Sequence, residues 1–235
     1  MHDQHNCGKN RLLAFLKTDD QKALQSEMES VPLDLQKLII EPHKPIEHVY
    51  FVETGIISML ADAGEGRVEV GMIGREGLAG LPALLGAVQS PFAYLVQGAG
   101  TAQRIRTDAL HRVIQERPSL IRLFSLYAAA MMAQIAQTTY ANANFTLESR
   151  LARWILMVQD RTDGDELLIT HEFLSLMLSV RRPGVTSATH VLEGIGAISA
   201  KRGRIIVRDR EKLQDLADGA YEVAEHEYER LMALV

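Results

Sequence analysis

The 235-residue chain nearly lacks cysteine, with Cys7 alone. An intrachain disulfide is therefore excluded, and a reducing, cytoplasmic setting is the natural expectation. No run of roughly 18 consecutive apolar residues stands out, so no membrane span is expected. The opening MHDQHNCGKN is too polar to read as a signal peptide. Internal repeats, low-complexity tracts and proline-rich linkers are missing, so a domain boundary has to fall inside regular structure, near Ala141 to Phe145. P-loop, nucleophile-elbow and paired-carboxylate motifs are also missing, and no enzyme is expected. Gly71, Gly74 and Gly77 lack the βαβ context of a dinucleotide fingerprint and read as turn residues. His43 and His48 lie five apart with Glu41 and Glu47 beside them, a spacing that puts the two rings on opposite faces of a strand. No metal site is expected there.

Positive charge is scarce overall, since the formal net charge is -5, yet it is unevenly spread. Between Arg181 and Lys212 eight Lys or Arg stand against three acids, a net of +5, whereas Leu213 to Val235 carries six acids and one Arg. Concentrated basic charge of this kind is the footprint of a phosphate-binding face.

Local patterning divides the chain. Asn10 to Leu38 reads as mostly helical. From Pro45 to about Ile105 short runs rich in Val, Ile, Tyr and Phe are punctuated by glycine, which suggests an antiparallel sandwich or jelly roll. HVYFVETGIISML reads as a strand, a turn at Thr54-Gly55 and a second strand; GEGRVEVGMIG adds a turn and strand; FAYLVQGAGTAQRI reads as closing strands. Asp108 to Glu116 is a short helix. Pro118 restarts a longer helix to about Ala141, with Leu120, Phe124, Tyr127, Met131, Gln134 and Thr138 stepping by three or four. That stripe suits packing on the barrel, pairing with a second chain, or both. A further helix follows Phe145, with Trp154 expected to anchor it to the long helix. LLIT is a short strand leading to Thr170, a plausible N-cap.

Two helical patterns then meet at a tight break and are followed by a basic hairpin, the plan of a helix-turn-helix with a wing. Val185, Ala188, Leu192 and Ile195 make an apolar stripe, while Arg182, Thr186 and His190, with Ser187 beside them, project from the other face. Donors and acceptors on such a face are what base edges in the major groove require.

The order of parts, together with IGREGLAGL, LESRLARWILM and LSVRRPGVTSATHVLEGIGAISAKRGRIIVRD, resembles the Crp/Fnr family of bacterial transcription regulators over nearly the whole chain. The resemblance implies an α+β protein: an antiparallel β jelly-roll sensor domain over residues 1–117, a dimerisation helix over 118–144, and a winged helix-turn-helix domain over 145–235. It implies a homodimer whose recognition helices face successive major grooves of a palindromic operator in double-stranded DNA. RNA polymerase and an unidentified small effector are further expected partners, and no cofactor is expected. An iron–sulfur cluster of four thiolates cannot be built with Cys7 alone.

Base contacts are assigned to Arg182, Thr186, Ser187 and His190, and backbone contacts to Thr170, Arg181, Lys201, Arg202 and Arg204. Family members often carry Arg, Glu and a second Arg on the recognition helix. Arg182 matches the first, but Pro183 and Ser187 occupy the other two positions. In the barrel, Gly74, Glu76 and Gly77 keep the outline of a phosphate cassette and, with Tyr127, are the ligand-pocket candidates. No Arg or Lys stands between Glu76 and Gln103 to meet a cyclic phosphate, so control by a cyclic nucleotide is not expected. The contrasting expectation is a small-ligand sensor acting through protein partners, with the helix-turn-helix as an interaction module.

Overall fold

The computed structural model describes residues 9–62 and 66–235. Cys7, His2, His5 and the glycine turn around residue 64 lie outside them. The chain forms two compact units, Met1–Ser58 with Ile73–Ala129 and Leu231–Val235, and Met59–Met72 with Ala130–Arg230. It is α+β, with an antiparallel sheet toward the N-terminus and a helix-turn-helix toward the C-terminus.

In the first unit, α1 (Arg11–Ala14) is capped by Asn10, whose side chain accepts from the Leu13 N–H, and α2 (Thr18–Gln25) carries Asp19 and Asp20 in its first turn. The helical character ends there. Met28–Leu33 is strand β1 and Leu38–Ile40 is β2, against the expectation of helix to Leu38. Pairing decides the matter: β1 lies antiparallel to β6 (Ala93–Arg106) from Met28 opposite Ile105 to Leu33 opposite Gly100, and β2 also pairs with β6. A ladder of backbone hydrogen bonds outweighs the weak helical preference of a short segment.

The expected turn at Thr54-Gly55 is likewise absent. His48–Asp62 is one strand, β3, that bends without reversing. Gly55 has φ 87°, and a Cβ there would lie 2.5 Å from the Gly98 carbonyl oxygen, so only glycine fits this close approach to β6. β4 (Arg67–Ile73) neighbours β3 in the sheet, and β5 (Leu78–Ala79) pairs with it at Tyr50 and Phe51. A short helix α3 (Leu81–Leu84) and then α4 (Thr107–Glu116) flank the sheet.

Helix α5 (Ser119–Asn144) runs 26 residues. By length and composition alone it is apolar enough to cross a membrane, a feature the sequence reading did not register. The stripe read from the sequence is turned inward: Leu120, Phe124, Tyr127, Met131 and Gln134 are buried within the chain. A second stripe, Ser125, Ala129, Met132, Ala136, Thr139 and Ala143, is exposed along the other side.

In the second unit, α6 (Leu147–Arg161) is buried on nearly every side, as befits the central helix of a small core. Around it stand β7 (Glu166–Leu167), α7 (His171–Met177), α8 (Arg182–Gly194), β8 (Ile198–Lys201), β9 (Arg204–Val207) and α9 (Arg210–Ala217), followed by α10 (Val223–Met232). Strand β7 is shorter than LLIT suggested, and Leu168 is 81% exposed. Trp154 is buried, but its indole N–H goes to Glu69 of β4 at 3.0 Å, a partner the sequence did not indicate.

Candidate nucleic-acid interface

The helix-turn-helix is built from local chemistry. Thr170 caps α7, its hydroxyl accepting from the Phe173 N–H at 3.2 Å. After Met177 the chain turns through Ser179, at φ 51°, where the Val180 N–H reaches back to the Ser175 carbonyl at 3.0 Å. Helix α8 then starts with Pro183 in its first turn, where a missing N–H costs nothing. Val185, Ala188 and Leu192 are fully buried and fix the helix on its own unit; Ile195, expected on the same stripe, is 42% exposed because the helix ends at Gly194.

With that face buried, the opposite one is held outward. Arg182, Ser187 and His190 are exposed, as is Arg181 in the turn. Thr186 is half-buried, and its hydroxyl gives a hydrogen bond to the Arg182 carbonyl at 3.2 Å and lies 3.2 Å from His171 Nδ1. His190 Nδ1 is 3.5 Å from Glu193. Glu193 in turn accepts the Ala200 N–H at 2.8 Å, tying the recognition helix to the hairpin. His171 and Glu193 were not singled out in the sequence, because their partners are 15 and 7 residues away and only the fold brings them close.

The hairpin β8–β9 closes with Lys201 opposite Arg204 around Arg202-Gly203, and Gly203, at φ 75°, supplies the positive φ that the third position of a type II turn needs. Lys201, Arg202 and Arg204 are exposed. β7 adds a third strand on the β9 side, and its Glu166 pairs with Arg204 at 2.9 Å. Arg210 is held by Asp160 at 2.7 Å, and Lys212 lies 3.5 Å from Asp209. Of the eight basic residues between Arg181 and Lys212, Arg181, Arg182, Lys201, Arg202 and Arg208 have no ion-pair partner among the described residues, so the unneutralised charge of this segment lies on the turn, α8, the hairpin and the residue after it.

The ligand-pocket candidates also meet, around one loop. The Gly74 N–H donates to Glu76 Oε1 at 3.2 Å, and the Gly77 N–H to the Gly74 carbonyl at 3.0 Å. Tyr127 is buried against Gly77, accepting the Leu78 N–H at 3.1 Å and lying 3.2 Å from the Leu78 carbonyl. Asn10 closes the loop from the far side, donating to the Val52 and Gly77 carbonyls at 2.7 and 2.8 Å. A Cβ at Gly77 would stand 2.2 Å from the Tyr127 hydroxyl. Gly77→Ala is therefore expected to cost about 1–3 kcal/mol in urea-unfolding stability through overpacking. Tyr127→Phe should restore little, because ring carbons remain 2.7 Å from the added methyl.

Residues 149–216 match the family model of the Crp-like helix-turn-helix domain. No curated protein sequence matches the chain. Among solved structures, FixK2 from Bradyrhizobium japonicum superposes with a TM-score of 0.70 at 16% identity, covering 81% of this chain and 98% of that one. CLP, the c-di-GMP-responsive global regulator of Xanthomonas campestris, gives 0.67 at 12% identity, with 81% and 99% covered. A CRP/FNR-family transcriptional regulator from Thermus thermophilus gives 0.65 at 20% identity, with 80% and 98% covered.

Proposed function

We propose that this chain, which carries a Crp-like helix-turn-helix domain on the fold of Crp/Fnr regulators, is a sequence-specific DNA-binding transcription regulator that acts as a homodimer in the cytoplasm. The observation that carries this reading is the exposed polar face of α8 flanked by cations without ion-pair partners in the turn before it and in the hairpin after it. Arg182 would read guanine through O6 and N7, with Thr186, Ser187 and His190 completing the base-facing set. Thr170, Arg181, Lys201 and Arg202 would hold phosphates. Arg204 would do so only by leaving Glu166.

The exposed stripe on α5 supports the two-fold reading. Small side chains at a spacing near 3.5 residues, with Met132 71% exposed among them, suit the seam between two parallel helices. The promoter-bound dimer would then work through RNA polymerase. A cyclic nucleotide is an unsuitable signal for the first unit, since Asn10 and Tyr127 already take the Gly77 carbonyl and the Leu78 N–H, Arg75 is the one cation of the Gly74–Gly77 loop, and no Arg or Lys stands between residues 76 and 103.

Selection of bound duplexes from a random pool tests the reading. A palindrome with half-sites about one helical turn apart is expected, and failure to enrich any sequence, with no retention on random duplex at low salt, would favour the protein-partner alternative. Lys201→Ala and Arg202→Ala should each weaken binding evenly across sequences and reduce the slope of log affinity against log salt by about 1. Fluorescence anisotropy over a salt series measures both.

A further inference from the structure

The second unit contains a cavity of about 20 Å³ among β4, the C-terminal half of α5, α6 and the end of α7. Glu69, Thr138, Arg150, Arg153, Trp154 and Leu178 are among its walls. Arg153 is only 6% exposed and gives one hydrogen bond, from Nη2 to Thr138 Oγ1 at 3.1 Å. Arg150 donates from Nη2 to the Leu178 carbonyl at 2.5 Å. The Nε–H of each guanidinium is buried and meets no acceptor among the described residues. Glu69 supplies the one carboxylate of the lining, and its Oε1 takes the Trp154 N–H.

Two guanidiniums against one carboxylate leave the lining with a formal charge of +1, and it stays +1 when Glu225 and Arg161, which also act on Arg153, are counted together. Burial holds both arginines below their ordinary value; for Arg153 the nearby charges of Glu225 and Glu69 oppose that effect and Arg161 adds to it. A buried donor without an acceptor is costly, the more so on a charged group. Water fits the volume but leaves the charge uncompensated.

We infer that this cavity is a site for one small halide, accepted between the Nε–H groups of Arg150 and Arg153. Its volume corresponds to about one water-sized group, which excludes phosphate esters and nucleotides. The position gives the site a regulatory consequence, which rests on the DNA-binding reading. Arg150 also holds the carbonyl of Leu178, the residue at which α7 passes into the turn before α8. An anion that fixes Arg150 fixes that turn.

Trp154 is the one tryptophan of the chain and lines the cavity, so its emission reports the site in the intact protein without DNA. Sodium chloride or sodium bromide is titrated in place of sodium gluconate at constant ionic strength, gluconate being too large to enter. A saturable change in emission in the millimolar range is expected, with apparent affinity about 10- to 100-fold weaker in Arg153→Gln, the loss of one charged hydrogen bond. Ala141, another wall of the cavity, allows a second variant: Ala141→Val narrows the space and leaves the charges in place, so it should also weaken the saturable response, and it decides the case if Arg153→Gln fails to fold. A response linear in bromide and flat in chloride, or saturation unchanged in either folded variant, would overturn the site. Because the titration contains no DNA, its outcome is separate from that of the operator selection.

Discussion

Replacing Arg182 with alanine should lower affinity for the selected operator by about 1–3 kcal/mol per half-site, roughly 5- to 150-fold, and relax preference at one base pair. The expectation follows from position and freedom. Arg182 opens α8 on the face opposite Val185, Ala188 and Leu192, is exposed, and has no ion-pair partner among the described residues. Its fork is therefore available, and the N-terminal residues of a recognition helix are those that reach base edges. In a dimer the contact occurs twice, so the loss on a palindrome should be about double that on a half-site mutated at the same base pair. Arg182→Lys separates charge from geometry: a point cation keeps phosphate attraction but not the bidentate fork. Affinity for random duplex should then survive while base preference falls. Measured by anisotropy on the selected site and on its single-base variants, an unchanged specificity profile in Arg182→Ala would sink this placement of the recognition helix.

Much of this surface was legible in the sequence because each part obeys a local rule. Thr170 announces a helix start, Pro183 fits a first turn, the 3.6-residue period separates the buried from the exposed side of α8, and the basic run after α8 reads as a hairpin. What stayed hidden depends on groups far apart in sequence. Arg204 looks like Lys201 until Glu166 is found across the sheet. Met28–Leu33 resembles more helix until β6 arrives 67 or more residues later to pair with it. Thr54-Gly55 has turn composition, yet its glycine serves a close approach of two strands rather than a reversal.

Helix α5 shows the same limit from another side. Its apolar period was plain, but periodicity cannot say which of two stripes meets the protein's own core. Leu120, Phe124, Tyr127 and Met131 are buried, so the stripe available to a second chain is the one with Met132. Asn10 was read only as the start of a helical stretch; it caps α1, and its amide also holds two carbonyls 42 and 67 residues away.

Truncating Trp154 to alanine should cost the second unit about 3–5 kcal/mol, the range for removing a large aromatic from a core. Trp154 is 2% exposed on a helix buried on nearly every side, and it carries a polar duty as well. Its N–H is bound by Glu69, itself 6% exposed. Trp154→Phe isolates that second term. Most of the packing volume remains, but a buried carboxylate loses a donor, a change worth about 1–3 kcal/mol. Removing the carboxylate as well distinguishes a lost bond from a stranded charge. Glu69 is also a counter-charge to Arg153, so Trp154→Phe with Glu69→Leu should be less stable than Trp154→Phe alone; a gain would mean that the carboxylate is stranded once the indole is gone. Unfolding followed by far-ultraviolet circular dichroism serves all three variants, since the only tryptophan is altered. Two units can unfold separately, so midpoints must be assigned to a unit, with Gly77→Ala marking the transition of the first. Should Trp154→Ala lose less than about 1 kcal/mol, Trp154 would not be the packing centre of the unit that presents α8, and the bond to Glu69 would count for little in holding the recognition helix in place.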